Sequence, residues 1–117
     1  MNIISDPNPV LAGTLLSPEA NQAAALASAT GVLTVDLDAI VANWRKLEKT
    51  AVPAECAGVV KADAYGCGAD QVARALANAG CKTFFTATLD EARVVRNAVP
   101  QAVIYTLDGF FQNTGDT

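Results

Sequence analysis

The residues whose types and spacing could do chemistry lie in one short stretch that follows an apolar run. Lys61 comes directly after the apolar residues 57–60, and Tyr65, Gly66 and Gly68 follow it. A neutral lysine amine in a partly desolvated pocket attacks an aldehyde and forms a Schiff base. A phenol donates hydrogen bonds, and glycine lets the backbone approach a ligand closely or adopt positive φ. These residue types suit an aldehyde ligand that carries a phosphate.

The same residues also have a purely structural interpretation. An ammonium buried at the end of a strand costs several kcal/mol unless it is paired or chemically modified. Lys61 could therefore pair with Asp63 and precede an ordinary glycine turn. Sites in parallel α/β folds are built at the carboxyl ends of strands, and this favours a ligand-binding role instead. Spacing alone leaves both interpretations open.

Composition and charge restrict the class of protein. The chain has 117 residues, 51% hydrophobic and 17% charged, which suits one compact domain. Its eight Lys and Arg residues are scattered and the net charge is −4, so we expect no nucleic-acid partner. There is no histidine, which excludes most zinc sites and every Ser-His or Cys-His nucleophile within the chain. A small-molecule partner is the expectation.

The cysteines and the apolar stretches indicate the cellular compartment in which the protein works. Cys56, Cys67 and Cys81 are odd in number and lack CxxC spacing, so neither a disulfide framework nor a metal site is predicted. A reducing cytoplasm fits this pattern. Residues 1–31 contain no Lys or Arg, so no export signal is predicted. No uncharged apolar stretch reaches the roughly 18–20 residues that a membrane-spanning helix requires.

Strands alternating with helices must position the lysine. Residues 1–31 show no sustained period and are predicted to form an N-terminal extension, disordered or loosely ordered. Apolar strands are predicted at 32–35, 57–60, 83–87 and 102–107. Apolar residues at helical spacing follow each of the first three strands.

Polar residues and a glycine mark the ends of these helices. Asp36 or Asp38 can cap the first helix, Gly80 can end the second, and Asp90 and Glu91 lie in the first turn of the third. The short connections favour right-handed βαβ crossovers and a parallel sheet. Four strands make either a small open sheet or the first half of a (β/α)8 barrel, whose full length is about 250 residues.

A longer pattern includes Lys61. The run Val-Val-Lys-Ala-Asp-Ala-Tyr-Gly-Cys-Gly at 59–68 resembles the cofactor-lysine signature of the alanine racemases. The resemblance extends to three further stretches: residues 34–40 with Asn43, then Ala87 with Glu91, Ala92 and Arg96, and finally residues 104–109. It covers about residues 32–109.

The resemblance implies an α/β fold, the first part of a (β/α)8 TIM-type barrel with parallel strands, truncated after about four strands. It assigns residues 32–117 to a partial barrel domain that binds pyridoxal 5'-phosphate. Lys61 would form the aldimine with that cofactor and act as base or acid on the α-proton, and Tyr65 would hold the phosphate. The implied reaction interconverts L- and D-alanine for the cell wall. No metal ligand is implied.

Two departures from the family pattern matter. Cys67 stands where the family usually has histidine. A complete member is expected to be a homodimer with a whole barrel and a β-rich C-terminal domain. That later region supplies an arginine facing the pyridine nitrogen and a second acid/base, a tyrosine of the partner subunit. Residues 112–117 resemble a loop cut short, so we expect the isolated chain to be weakly active or inactive.

Other interpretations stay open at this point. The chain could be a non-catalytic fragment that associates with another polypeptide, since exposed parallel strand edges favour pairing. It could also bind pyridoxal phosphate without racemising an amino acid. A racemase of serine or of broader amino-acid specificity would carry the same signature.

The remaining conspicuous side chains have structural interpretations. Trp44 falls on the apolar stripe of the first helix and is assigned to the core. Arg93 and Arg96, with Asp90 and Glu91 nearby, are assigned to a solvated helix face that includes i,i+3 pairs.

Overall fold

The described structure is a computed structural model covering residues 17–110. The chain divides into two compact units, Met1–Thr34 and Val35–Thr117. The described part of the first unit contains one helix, α1, at Pro18–Ser28. The second unit holds the remaining helices and the sheet.

Helix α1 forms without an apolar face. Ser17 caps it by accepting a hydrogen bond from the Ala20 N–H at 3.1 Å, and no residue of the helix is buried. Its alanines have the highest intrinsic helix propensity, and its cap satisfies a free N–H group. The search for apolar periodicity misses α1 because such a helix has no apolar stripe.

The second unit alternates helices with parallel strands. Its elements are α2 at Leu37–Ala51, β1 at Gly58–Val59, α3 at Lys61–Tyr65, α4 at Ala69–Ala79, β2 at Thr83–Thr86, α5 at Leu89–Ala98 and β3 at Val103–Thr106. The strands form one parallel sheet in the order β1-β2-β3. The predicted α/β class with parallel strands is confirmed, and a partial barrel is consistent with it.

The strand predicted at 32–35 is not formed. Val32 is 61% exposed and Leu33 is 78% exposed. An apolar run becomes a strand only where a neighbouring strand pairs with its backbone groups, and among residues 17–110 none does so. The described sheet therefore has three strands where about four were predicted.

The sheet has one covered face and one open face. Phe84 in β2 is fully buried and shares a core cluster with Leu76 and Val95, from α4 and α5. The adjacent row across the three strands is Val59, Phe85 and Tyr105. In that row the side chains of β1 and β3 are about half exposed, and the rings of β2 and β3 stack with centroids 5.2 Å apart. Within the described part of the second unit, the helices of that unit cover only one side of the sheet.

Trp44 joins α2 to the core, as predicted. Its side chain is buried, and its Nε1–H donates a hydrogen bond to the Cys56 carbonyl at 3.0 Å. This bond links α2 to the segment that leads into β1. Helix α4 packs against both α2 and α5, so the three long helices of the second unit form a continuous layer.

Two predicted helix ends are confirmed. Asp36 accepts a hydrogen bond from the Ala39 N–H at 2.9 Å and caps α2. Gly80 ends α4 with φ of 117°, a conformation that side-chain-bearing residues rarely adopt. Both ends follow from the type of residue at the end of the helix, a carboxylate that caps α2 and a glycine that ends α4.

Several features bear on the class of protein. The three cysteines are free, and burial raises the pKa of the Cys81 thiol. Residues 17–110 contain no cluster of three or more His, Cys, Asp or Glu side chains able to hold a metal ion. None of the helices in that range combines the length and apolar character needed to cross a bilayer. The loop predicted at 112–117 lies outside the described residues.

Candidate active site

Lys61 lies at the carboxyl end of β1, in the position that the sequence predicts. Val60 before it is fully buried, and its N–H donates a hydrogen bond to the Phe85 carbonyl of β2 at 2.9 Å. The Lys61 residue itself is half-buried. Strand pairing thus holds the backbone firmly up to the lysine, and the chain leaves the sheet directly after it.

The chain turns left-handed after Lys61. Ala62, Asp63, Ala64 and Tyr65 all have φ between 52° and 56°. Left-handed backbone costs roughly 1–2 kcal/mol for each residue that carries a Cβ, so four in succession need support from their surroundings. This turn is part of the segment called α3.

Asp63 stabilises the turn from within. Its Oδ1 accepts a hydrogen bond from the Ala69 N–H at 2.8 Å, at the start of α4. Its carboxylate is not paired with Lys61, so the structural interpretation based on that ion pair is wrong. Among residues 17–110, the ion pairs are Arg74–Asp70 and Arg93–Asp90, and Lys61 takes part in neither.

Glu91 supports the turn from outside. One carboxylate oxygen accepts a hydrogen bond from the Ala62 N–H at 2.6 Å, and the other accepts from the N–H groups of Ala87 at 2.7 Å and Thr88 at 3.1 Å. Desolvation alone raises the pKa of this carboxyl. The backbone hydrogen bonds and the charge of Lys61 outweigh that effect, so the pKa of Glu91 lies below its usual value.

The assignment of the α5 surface to solvent is correct only in part. Arg93 and Asp90 do form an exposed i,i+3 ion pair. Glu91 does not belong to that surface, because its carboxylate accepts backbone hydrogen bonds from two different loops. The spacing Thr88-x-x-Glu91 is a capping-box signal and predicts the bond to Thr88, but nothing local indicates the bond to Ala62.

Tyr65 and the two glycines lie at the end of the turn. Tyr65 is 64% exposed, and its hydroxyl has no hydrogen-bond partner within the described chain. Gly66 and Gly68 have φ of 87° and 94°, and a Cβ at either position would meet no atom within 4 Å. Glycine is therefore required there by backbone conformation, and the space beside the turn is open. Lys61 and Tyr65 lie at the two ends of α3, and their chemical roles stay predictions.

Comparisons with known proteins identify the family. The family model for the alanine racemase N-terminal domain matches residues 35–116. The chain is 59% identical over 78 residues to an alanine racemase of Methylobacterium nodulans, a match that covers 67% of this chain. It is 45% identical over 80 residues to a biosynthetic alanine racemase of Agrobacterium fabrum, which covers 68% of this chain.

A solved structure agrees with these matches. The chain resembles the crystal structure of alanine racemase from Bartonella henselae with covalently bound pyridoxal phosphate, with a TM-score of 0.67 and 44% identity. That match covers 70% of this chain and 24% of the crystallised one. The chain spans about a fifth of the length of the curated relatives, 21% and 20% for the two described above. Because the family model matches most of its residues, the chain belongs to the alanine racemase N-terminal domain family.

Proposed function

We propose that this chain is the pyridoxal-phosphate-binding part of an alanine racemase, with Lys61 as the residue that holds the cofactor covalently. The observation that carries the proposal is the placement of Lys61 at the carboxyl end of β1, half-buried and without an ion-pair partner among residues 17–110. A relative at 44% identity carries covalently bound pyridoxal phosphate. Lysine is the side chain that attaches this cofactor to proteins.

The residues around Lys61 fit the cofactor. The Tyr65 hydroxyl is exposed and unpaired within the described chain, so it can donate a hydrogen bond to a phosphate oxygen. The open space beside Gly66 and Gly68 lets a ligand approach the backbone. The Glu91 carboxylate accepts hydrogen bonds from backbone N–H groups of this turn and of the loop before α5. It forms no ion pair with Lys61.

Lys61 would remove or return the α-proton of alanine on one face of the α-carbon. When bound, the cofactor withdraws electrons from the substrate and stabilises the carbanion that this step leaves. Racemisation needs a second proton carrier on the opposite face. Because the chain spans about a fifth of its relatives, we assign that group to the part of the protein beyond the matched region, in a homodimer. The chain alone is then weakly active or inactive.

Three finer statements belong to the same proposal. The reaction supplies D-alanine for the cell wall, and the three free cysteines support a reducing cytoplasm as its location. The complete domain is a TIM-type barrel, for which the parallel order β1-β2-β3 and the open sheet face provide support.

A second candidate is cofactor binding without turnover. The exposure of Tyr65, 64% in the described structure, favours it, because catalysis of this kind requires a site from which water is excluded. In this case the chain would hold pyridoxal phosphate on Lys61 and leave L-alanine unchanged.

The test is reductive trapping in the 117-residue chain. The chain is incubated with pyridoxal phosphate, treated with borohydride and digested, and the labelled peptides are identified by mass spectrometry. We expect a stable label on Lys61 that is lost in Lys61→Ala and retained in the control Lys82→Ala, which removes an exposed lysine. Equal labelling of all lysines would reject the proposal. Any formation of D-alanine from L-alanine would exclude the second candidate, which leaves L-alanine unchanged.

A further inference from the structure

The carboxylate of Glu91 connects the segment that follows Lys61 to the end of the neighbouring strand. Its two oxygens accept three backbone hydrogen bonds, from Ala62 on one side and from Ala87 and Thr88 on the other. The donors lie in α3 and in the β2–α5 connection. A single side chain therefore adds a link between the two strands beyond the point where their backbone pairing ends.

The contact to Ala62 occurs where the left-handed turn begins. Ala62 is the first left-handed residue after Lys61, with φ of 52° and ψ of 48°. Residues in this region stay there only when their surroundings hold them. The bond from its N–H to Glu91 is 2.6 Å long and charge-assisted, the stronger kind of hydrogen bond. Because Ala62 is covalently joined to Lys61, holding one restricts the other.

The bonds on the other side have a purely structural explanation. Glu91 and Thr88 form a capping box, in which the Thr88 hydroxyl accepts from the Glu91 N–H at 3.3 Å. A capping box stabilises the start of a helix wherever it occurs. It does not require a bond to a residue 29 positions earlier, and that additional bond is the one that reaches the lysine segment.

We infer that Glu91 is the positioning residue for Lys61. It holds the left-handed turn against the end of β2, so that the lysine amine is presented in one orientation to its reaction partner. The inference rests on the proposed function, since it takes Lys61 as the cofactor-binding residue. Precise placement of a reacting group by a supporting contact raises its reaction rate.

The test compares Glu91→Gln with Thr88→Val in the 117-residue chain. Gln has the shape of Glu but places an NH2 group where one oxygen accepts a backbone N–H. We expect the remaining oxygen to keep the two donors Ala87 and Thr88, so the bond from Ala62 is lost. Val at position 88 removes the hydroxyl of the capping box and leaves the Glu91 carboxylate and its bond to Ala62 in place. Unfolding curves are recorded first, to check that both variants fold.

Two readouts separate positioning from general stability. The first is the rate of borohydride-trapped labelling by pyridoxal phosphate on Lys61, divided by the rate on Lys82 in the same chain. Lys82 is exposed, so its rate reports the ordinary reactivity of a surface lysine in the same sample. Thr88→Val controls for a general loss of stability at the start of α5. The second is amide hydrogen exchange at Ala62 in the absence of the cofactor. In Glu91→Gln we expect the labelling ratio to fall and the exchange rate to rise, each by about tenfold, the effect of one hydrogen bond to a charged group.

Each outcome decides a different claim. In Thr88→Val we expect both readouts to keep their wild-type values. A wild-type labelling preference for Lys61 that persists in Glu91→Gln overturns the inference and leaves the proposed function standing. An equal fall in both variants also overturns it, because the capping box would then explain the effect. A wild-type chain without any preference for Lys61 overturns the proposed function, and the inference with it.

Discussion

The carboxylate of Asp63 accepts a hydrogen bond from the Ala69 N–H at 2.8 Å, across residues 66–68, which separate the left-handed turn from α4. The N-cap residue of α4 is Gly68, which has no side chain to cap the helix. Asp63 takes over that function from six positions away. The start of α4 and the turn after Lys61 are therefore stabilised by the same side chain.

Asp63→Ala removes this cap. We expect the free energy of unfolding to fall by about 1 kcal/mol, the usual cost of losing a side-chain cap. Urea unfolding at constant pH measures it. Arg74→Ala is the control, since it breaks an ion pair between side chains that are about half exposed and should cost about 0.5 kcal/mol or less. Equal losses in the two variants would show that the Asp63 bond contributes little.

Replacement of alanine by glycine should have opposite effects at two positions. Ala62 is left-handed, with φ of 52°, so Ala62→Gly relieves backbone strain and should stabilise the chain by about 0.5–1 kcal/mol. Ala42 lies exposed inside the right-handed helix α2, where Ala42→Gly should destabilise by about 1 kcal/mol. Thermal unfolding of both variants checks the signs. Destabilisation by both would contradict the left-handed turn.

The stability contributed by Glu91 should depend on pH. Its pKa in the folded chain lies below the usual value of 4.5. A carboxyl with a lowered folded pKa stabilises the fold fully above its unfolded pKa and loses that contribution as the pH falls through the folded value. The difference in free energy of unfolding between wild type and Glu91→Gln should thus be constant near neutral pH and shrink below pH 4.5.

Urea unfolding of both proteins at pH 7 and at several values below 4.5 measures this difference. Other carboxyls titrate in the same range, but they are common to both proteins and cancel to first order. A difference that stays constant or grows on acidification would show that the ionised Glu91 carboxylate does not stabilise the fold.

Two adjacent phenylalanines should differ in their contribution to stability. Phe84 is fully buried between the sheet and the helices, so Phe84→Ala should cost about 3–5 kcal/mol. Phe85 is half-buried on the open face and stacks on Tyr105, so Phe85→Ala should cost less than half as much. Denaturant unfolding compares them. Similar losses would mean that the second face is covered as well.

Much of the second unit could be predicted from residue spacing. Apolar periodicity predicts α2, α4, α5 and the three strands, because each of these elements buries one side in the core. Asp36 and Gly80 mark helix ends through local chemistry. The same reasoning misses α1, whose residues are unburied, and predicts a strand at 32–35 that has no partner among the described residues.

The candidate site also has features that the sequence predicts and features that it does not. Lys61, Tyr65 and the glycines are recognisable from the sequence because they lie in one uninterrupted stretch of eight residues, 61–68. The left-handed turn is not recognisable in this way, since Ala and Asp carry no signal for positive φ in a run. Hydrogen bonds from the turn to Ala69 and to Glu91 support it in the folded chain.

By itself, the sequence determined which residues could do the chemistry and which elements carry them, because both depend on neighbours a few positions apart. Only the tertiary structure decided that Asp63 caps α4 instead of pairing with Lys61, and that Glu91 joins the lysine segment to the end of β2. The physical reason is that a carboxylate accepts a hydrogen bond from any N–H group within reach. Which N–H group is within reach depends on how the strands are paired.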